Sequence, residues 1–161
     1  MLDDASATCW GKNDYSQLGS SRSGNGRIDV GAERGVLSIS AGDLHTCAVL
    51  DDGSARCWGK NDVGQLGYGD RITRGDGEEM AAIDVGQGRT VMSVSAGSSH
   101  TCAVLDDGTA RCWGYNFYGQ LGYGDTSHRG NYQGEMGASL SAIDVGEGRT
   151  VVSVSAGLWH T

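Results

Sequence analysis

Three histidines, His45, His100 and His160, stand at one recurring position of the chain, the arrangement a ring of imidazole ligands around a metal ion would require. Four of the five cysteines form spaced pairs, Cys47 with Cys57 and Cys102 with Cys112. The adjacent acids Asp51-Asp52 and Asp106-Asp107 have the residue types of a general acid and base, or of calcium ligands. Position argues against each of these chemistries. Equivalent sites spread around an array do not converge on one ion, and histidines so placed are expected to bond backbone groups between strands. Aspartates at turns bond their own backbone. The chain has no G-x-S-x-G, phosphate loop, zinc-ligand spacing or nonapeptide calcium repeat. The expectation is therefore no catalytic residue, no metal and no cofactor, and a protein that is not an enzyme.

What positions these residues is a 39-residue pattern that spans 29–67 and again 84–122. Residues 144–161 repeat its first half and residues 1–19 its second half. Inserts of 9, 16 and 21 residues, at 20–28, 68–83 and 123–143, hold all the variation in length. A fixed period of this size denotes stacked supersecondary units in one array over 1–161. Within 84–122, TVMSVSAG alternates Val91, Ser93 and Ser95 with Met92, Val94 and Ala96, the period of a strand. HTCAVL and TARCWG are two further strands, joined by Asp106, Asp107 and Gly108 as a three-residue hairpin loop. Gly108 and Gly53 take the left-handed position of that loop; Ala5 occupies it in the first copy, where a looser or differently shaped hairpin is expected.

The loop length sets Leu105 against Thr109, which places Cys102 opposite Cys112 and Cys47 opposite Cys57. Directly opposed strand residues can form a disulfide, and buried reduced thiols are the alternative. Disulfides favour an extracellular or periplasmic location; reduced thiols favour the cytoplasm. Cys9 is the odd one, its equivalent partner falling one residue past Thr161. The chain is thus expected to be a fragment of a longer array, or to have ends that meet in one shared unit.

Composition agrees with an all-β chain: 28 glycines, no proline and 38% hydrophobic residues. The net charge of −8 disfavours phosphate backbones and anionic membranes, so no direct nucleic-acid or membrane partner is expected. No apolar run of membrane-spanning length is present, and MLDDASATCW has neither the basic nor the apolar region of a signal peptide.

The motifs SAGxxHTCAVLDDG and CWGxNxxGQLGYGD closely resemble the repeat of the regulator of chromosome condensation family. Gly97, His100, Thr101, Trp113, Gly114, Asn116, Gly119, Gln120, Leu121 and Gly122 stand at the family's spacing, as do their equivalents from Gly42 to Gly67. The first copy keeps Trp10, Gly11, Asn13, Gln17, Leu18 and Gly19 but has Ser16 at a glycine position. The resemblance implies a β-propeller of four-stranded blades, usually seven, closed by a blade shared between the chain ends. About three blade equivalents are present here, which predicts an open arc with unpaired edges that invite self-association. The family's usual proline before DVG is absent; Ser141 to Ile143 stand there.

In this frame His45, His100 and His160 are structural, and Trp10, Trp58 and Trp113 pack between blades. Trp159, which replaces Leu44 and Ser99, is a candidate exposed anchor. The two longer inserts share Asp70 with Asp125, Arg74 with Arg129, and Glu79-Met80 with Glu135-Met136. This suggests an internal Asp to Arg clasp, or a partner surface built from Arg71, Arg74, His128, Arg129 and Tyr132. The functional expectation is a non-catalytic protein-interaction module forming part of a propeller. Guanine nucleotide exchange on a small GTPase is the alternative, and a secreted inhibitor or recognition domain the third.

Overall fold

A computed structural model of the chain describes residues 2, 4–19, 28, 30, 34–75 and 80–161; the insert over 20–27 and Glu79 fall outside them. Six strands form two antiparallel sheets, β1 (Val36–Ala41), β2 (His45–Leu50) and β3 (Ala55–Gly59), then β4 (Val91–Ala96), β5 (His100–Leu105) and β6 (Ala110–Gly114). Strands are adjacent in the order in which they occur, as short turns require. The hairpin register follows the glycine turns: the Leu105 amide donates to the Thr109 carbonyl at 2.9 Å, and Gly108 takes φ +74°. Cys102 then faces Cys112 and Cys47 faces Cys57, and both pairs are disulfides with Cα atoms 4.1 Å apart.

Three sequence expectations are corrected. Strict alternation in β4 fails because Val91 pairs with Leu105 and Ser93 with Val104, leaving Met92 as an extra residue. That bulge turns Met92 outward at 65% exposure and brings Val94 and Ala96 to the same core as Val91. Each sheet holds three strands among the described residues, and the fourth position of the blade is reduced to a single bridge, Gly59 with Arg74 and Gly114 with Arg129. The segment leading into each bridge is held by its own Asp–Arg contacts. The first hairpin is not differently shaped: Ala5 adopts φ +60°, and its amide donates to the Leu2 carbonyl as Gly53 does to Leu50.

Successive units dock in one way throughout. The amides of Val36, Val91 and Val151 donate to the carbonyls of Ala5, Gly53 and Gly108, the turn residues of the preceding unit. Residues 151–156 thereby lie against the second sheet as β4 lies against the first, although they pair with no strand among the described residues. The cores lie at these junctions. One holds Ile28, Val36, Leu50 and Trp58, the next Val49, Leu66, Val91, Leu105 and Trp113, and the third Leu121 with the second disulfide.

Candidate functional site

The recurring polar residues are consumed in holding unit to unit. The Gln65 main-chain carbonyl accepts from the Trp113 indole Nε1 at 3.0 Å and from the Thr101 hydroxyl at 2.8 Å, both in the following unit. Gln17 serves Trp58 and Thr46 in the same way, at 2.9 and 2.8 Å. His45 and His100 approach the hydroxyls of Thr101 and Thr161, at 2.9 and 3.0 Å. His45 and His100 therefore reach a neighbouring unit's side chain, because each ring lies at the junction. Burial, aided by the nearby His100, lowers the His45 pKa to about 3; burial and then His160 lower His100 to about 4. Among the described residues no three potential ligands gather as a metal site. His160 is exposed.

Trp58 and Trp113 are fully buried because Gly19 and Gly67 leave room for them: a Cβ there would lie 2.5 and 2.6 Å from the indole nitrogens. Trp10 departs from its expected packing role and is 85% exposed. The paired acids are turn residues. Asp52 accepts from the amide and hydroxyl of Ser54, and Asp107 from those of Thr109, which depresses both pKa values.

Two surface features depart from the repeat. The first is made by the inserts. Asp70 and Arg74 form a bidentate pair at 2.8 and 2.6 Å, and Asp125 and Arg129 another at 3.0 and 2.8 Å. Each guanidinium also lies over a tyrosine, Arg74 over Tyr68 at 4.4 Å and Arg129 over Tyr123 at 4.1 Å. The hydrogen bond from Arg129 heads the causes that hold Asp125 down at about 2. Arg74 and Arg129 thus order their own loops. Arg71 instead crosses between inserts: it donates to the Tyr132 hydroxyl at 3.1 Å and lies 4.9 Å from that ring. With its amide oriented to satisfy both neighbours, Asn131 accepts from Arg71 at 2.7 Å and donates to Glu135 at 2.8 Å. The second insert reaches this place by lying on the Gly64 turn, where a Cβ would come 2.5 Å from the Asn131 amide. Gly64, at φ +81°, is required there twice over.

The second feature is an aromatic cluster. The Tyr115 ring lies 4.8 Å from His128, 5.9 Å from Trp159 and 6.4 Å from both Phe117 and Tyr118. Tyr118 lies 5.4 Å from Trp159 and 5.2 Å from Phe117. Phe117 and Tyr118 are each 62% exposed and Trp159 47%. His128 accepts the Asn116 amide at Nδ1, which fixes its ring beside Tyr115. Tyr115, Phe117 and Tyr118 were not among the residues singled out from sequence. The signal was present: the equivalent turn reads Lys60-Asn61-Asp62-Val63, so two charged residues are replaced by aromatic ones. Tyr118 and Trp159 also edge a cavity of about 650 Å³ that includes Gln120, Ile143 and Val154.

Comparison with known proteins gives one consistent result. Sequence models described as "Regulator of chromosome condensation (RCC1) repeat" match residues 36–65 and 91–120, and 52–104. Together they run without a gap from 36 to 120, just over half of the 161 residues. The chain is 40% identical over 85 residues to the ultraviolet-B receptor UVR8 of Arabidopsis thaliana, covering 52% of this chain and 18% of that protein. Human WBSCR16 superposes with a TM-score of 0.74 at 20% identity, over 97% of this chain and 39% of that one. Prp20p of Saccharomyces cerevisiae, a structure described with its binding to Gsp1p and histones, gives 0.73 at 20% identity, over 98% and 39%. The chain thus spans about a fifth of that receptor and about two fifths of each of these solved chains.

Proposed function

The chain belongs to the regulator of chromosome condensation repeat family, and from that premise we propose that it is a non-catalytic protein-interaction module, a stretch of propeller whose inserts form the contact face. The observation that carries this is the Arg71–Tyr132 contact, which joins two inserts 61 residues apart into one surface. The repeat residues beneath are spent on each other, while the inserts differ in length and sequence. Arg71, Tyr132 and the aromatic groups around His128 and Trp159 remain for a partner. The two disulfides favour an oxidising compartment for this module.

Exchanging residues 68–83 with 123–143 tests the proposal. Partner capture should change on the exchange, and capture indifferent to it overturns the proposal. Guanine nucleotide exchange on a small GTPase is the second reading, suggested by the likeness to Prp20p. At 20% identity that likeness carries the fold alone, so exchange is ranked below simple binding. Nucleotide release from a panel of loaded GTPases separates the two readings.

A further inference from the structure

All six tyrosines are among the described residues, and four of them carry a cation over or beside the ring. Lys60 lies 5.5 Å from Tyr15, Arg71 4.9 Å from Tyr132, Arg74 4.4 Å from Tyr68 and Arg129 4.1 Å from Tyr123. The two exceptions, Tyr115 and Tyr118, are both in the aromatic cluster with Phe117 and Trp159, and none of these four rings has a cation over it among the described residues. The repeat position of Lys60 holds Tyr115 in the following copy, so this surface carries a ring where the earlier one carries a cation.

From the geometry of these rings we propose that the Tyr115–Phe117–Tyr118–Trp159 cluster is a binding site for an arginine side chain of a basic protein segment. The centroids of Tyr115, Tyr118 and Trp159 form a triangle with sides of 5.4, 5.9 and 6.4 Å. A guanidinium above it lies within the roughly 6 Å over which a ring attracts a cation, from all three rings together. The molecule's charge of −8 attracts the same kind of partner over longer range. A planar, weakly hydrated guanidinium stacks on aromatic faces more readily than an ammonium, which favours arginine over lysine. The site rests on the reading of the chain as an interaction module and names the chemistry of a partner.

The test is calorimetric titration of the whole chain with a peptide of alternating arginine and glycine, beside one in which citrulline replaces arginine. The arginine peptide should bind at least about tenfold more tightly. Tyr118→Leu and Trp159→Leu keep apolar bulk and remove a π face; each should weaken arginine binding about two- to fivefold. Tyr15→Leu, at the other end of the array, should leave it unchanged. Equal binding of the citrulline peptide overturns the proposal, as does arginine binding indifferent to both leucine variants. Self-association abolished by the same variants overturns it in favour of a second copy of the chain. Circular dichroism of each variant guards against unfolding. Capture that still changes with the exchanged inserts while the peptides fail to bind leaves the module intact and removes only this site.

Discussion

His45 Nε2 lies 2.9 Å from the Thr101 hydroxyl, and the direction of that bond is determined by what the threonine does next. Thr101 has one hydroxyl hydrogen, and it is donated to the Gln65 carbonyl, which can only accept. The imidazole must therefore donate, so Nε2 carries the proton and Nδ1 is bare. That buried Nδ1 has no partner, and protonating it would create an unpaired charge. The histidine serves as a neutral peg from one unit into the next.

Thr101→Val removes the peg's acceptor and one of the two donors to the Gln65 carbonyl, and keeps the side-chain shape. Stability should fall by about 1–3 kcal/mol in urea unfolding, the usual cost of leaving a buried polar group unsatisfied. A loss below about 0.5 kcal/mol would mean that the junction repacks without the bond.

His45 has a folded pKa near 3 against 6.5 for the free side chain, so between these values the unfolded chain binds the extra proton. Its contribution is whole above pH 6.5 and is lost as pH falls toward 3. About 2 kcal/mol should go between pH 7 and pH 5, with His100 acting in the same direction. His45→Gln keeps an N–H donor without titrating and should flatten the slope. The depressed Asp52, Asp70, Asp107 and Asp125 add their losses only as pH falls into and below the ordinary carboxylate range.

Each disulfide closes a loop with a sequence separation of 10. Chain-entropy arguments put the loss on replacing Cys47 and Cys57 by alanine at about 2.5–3 kcal/mol. Denaturation with and without a thiol reductant, which opens both disulfides, should show about twice that loss in the intact chain. Identical melts in both conditions would count against a stabilising role.

Ala5 and Ser16 are the non-glycine residues with positive φ among those described, at +60° and +61°. A left-handed conformation costs an L-residue about 1–2 kcal/mol, and glycine returns about half of that as chain entropy. Ala5→Gly and Ser16→Gly should each raise stability by about 0.5–1 kcal/mol. Destabilisation by either would show that its Cβ contributes packing that outweighs the strain.

Much of this was legible in the chain's repetition. Gly53 and Gly108 demand one turn, the turn sets one register, and the register sets each cysteine against its partner; that logic is local and needs no knowledge of the fold. The aspartates after Leu50 and Leu105 are explained on the same scale. The bulge at Met92 escaped, because alternation cannot reveal an inserted residue that the partner strand does not match. The Asp–Arg clasps were visible as shared spacing, yet the single bridges of Arg74 to Gly59 and Arg129 to Gly114 depend on how the chain folds back on its sheet.

Contacts between units were beyond reach from sequence, since they join residues about one repeat or more apart. The partner of His45 is a threonine 56 positions away, and Arg71 meets Tyr132 across 61. Tyr115, Phe117 and Tyr118 become a surface only when His128 and Trp159, from an insert and the following unit, are folded beside them. Short-range turn and strand preferences determine what each repeat is. Stacking alone decides which of its side chains are used up at a junction and which are left facing a partner.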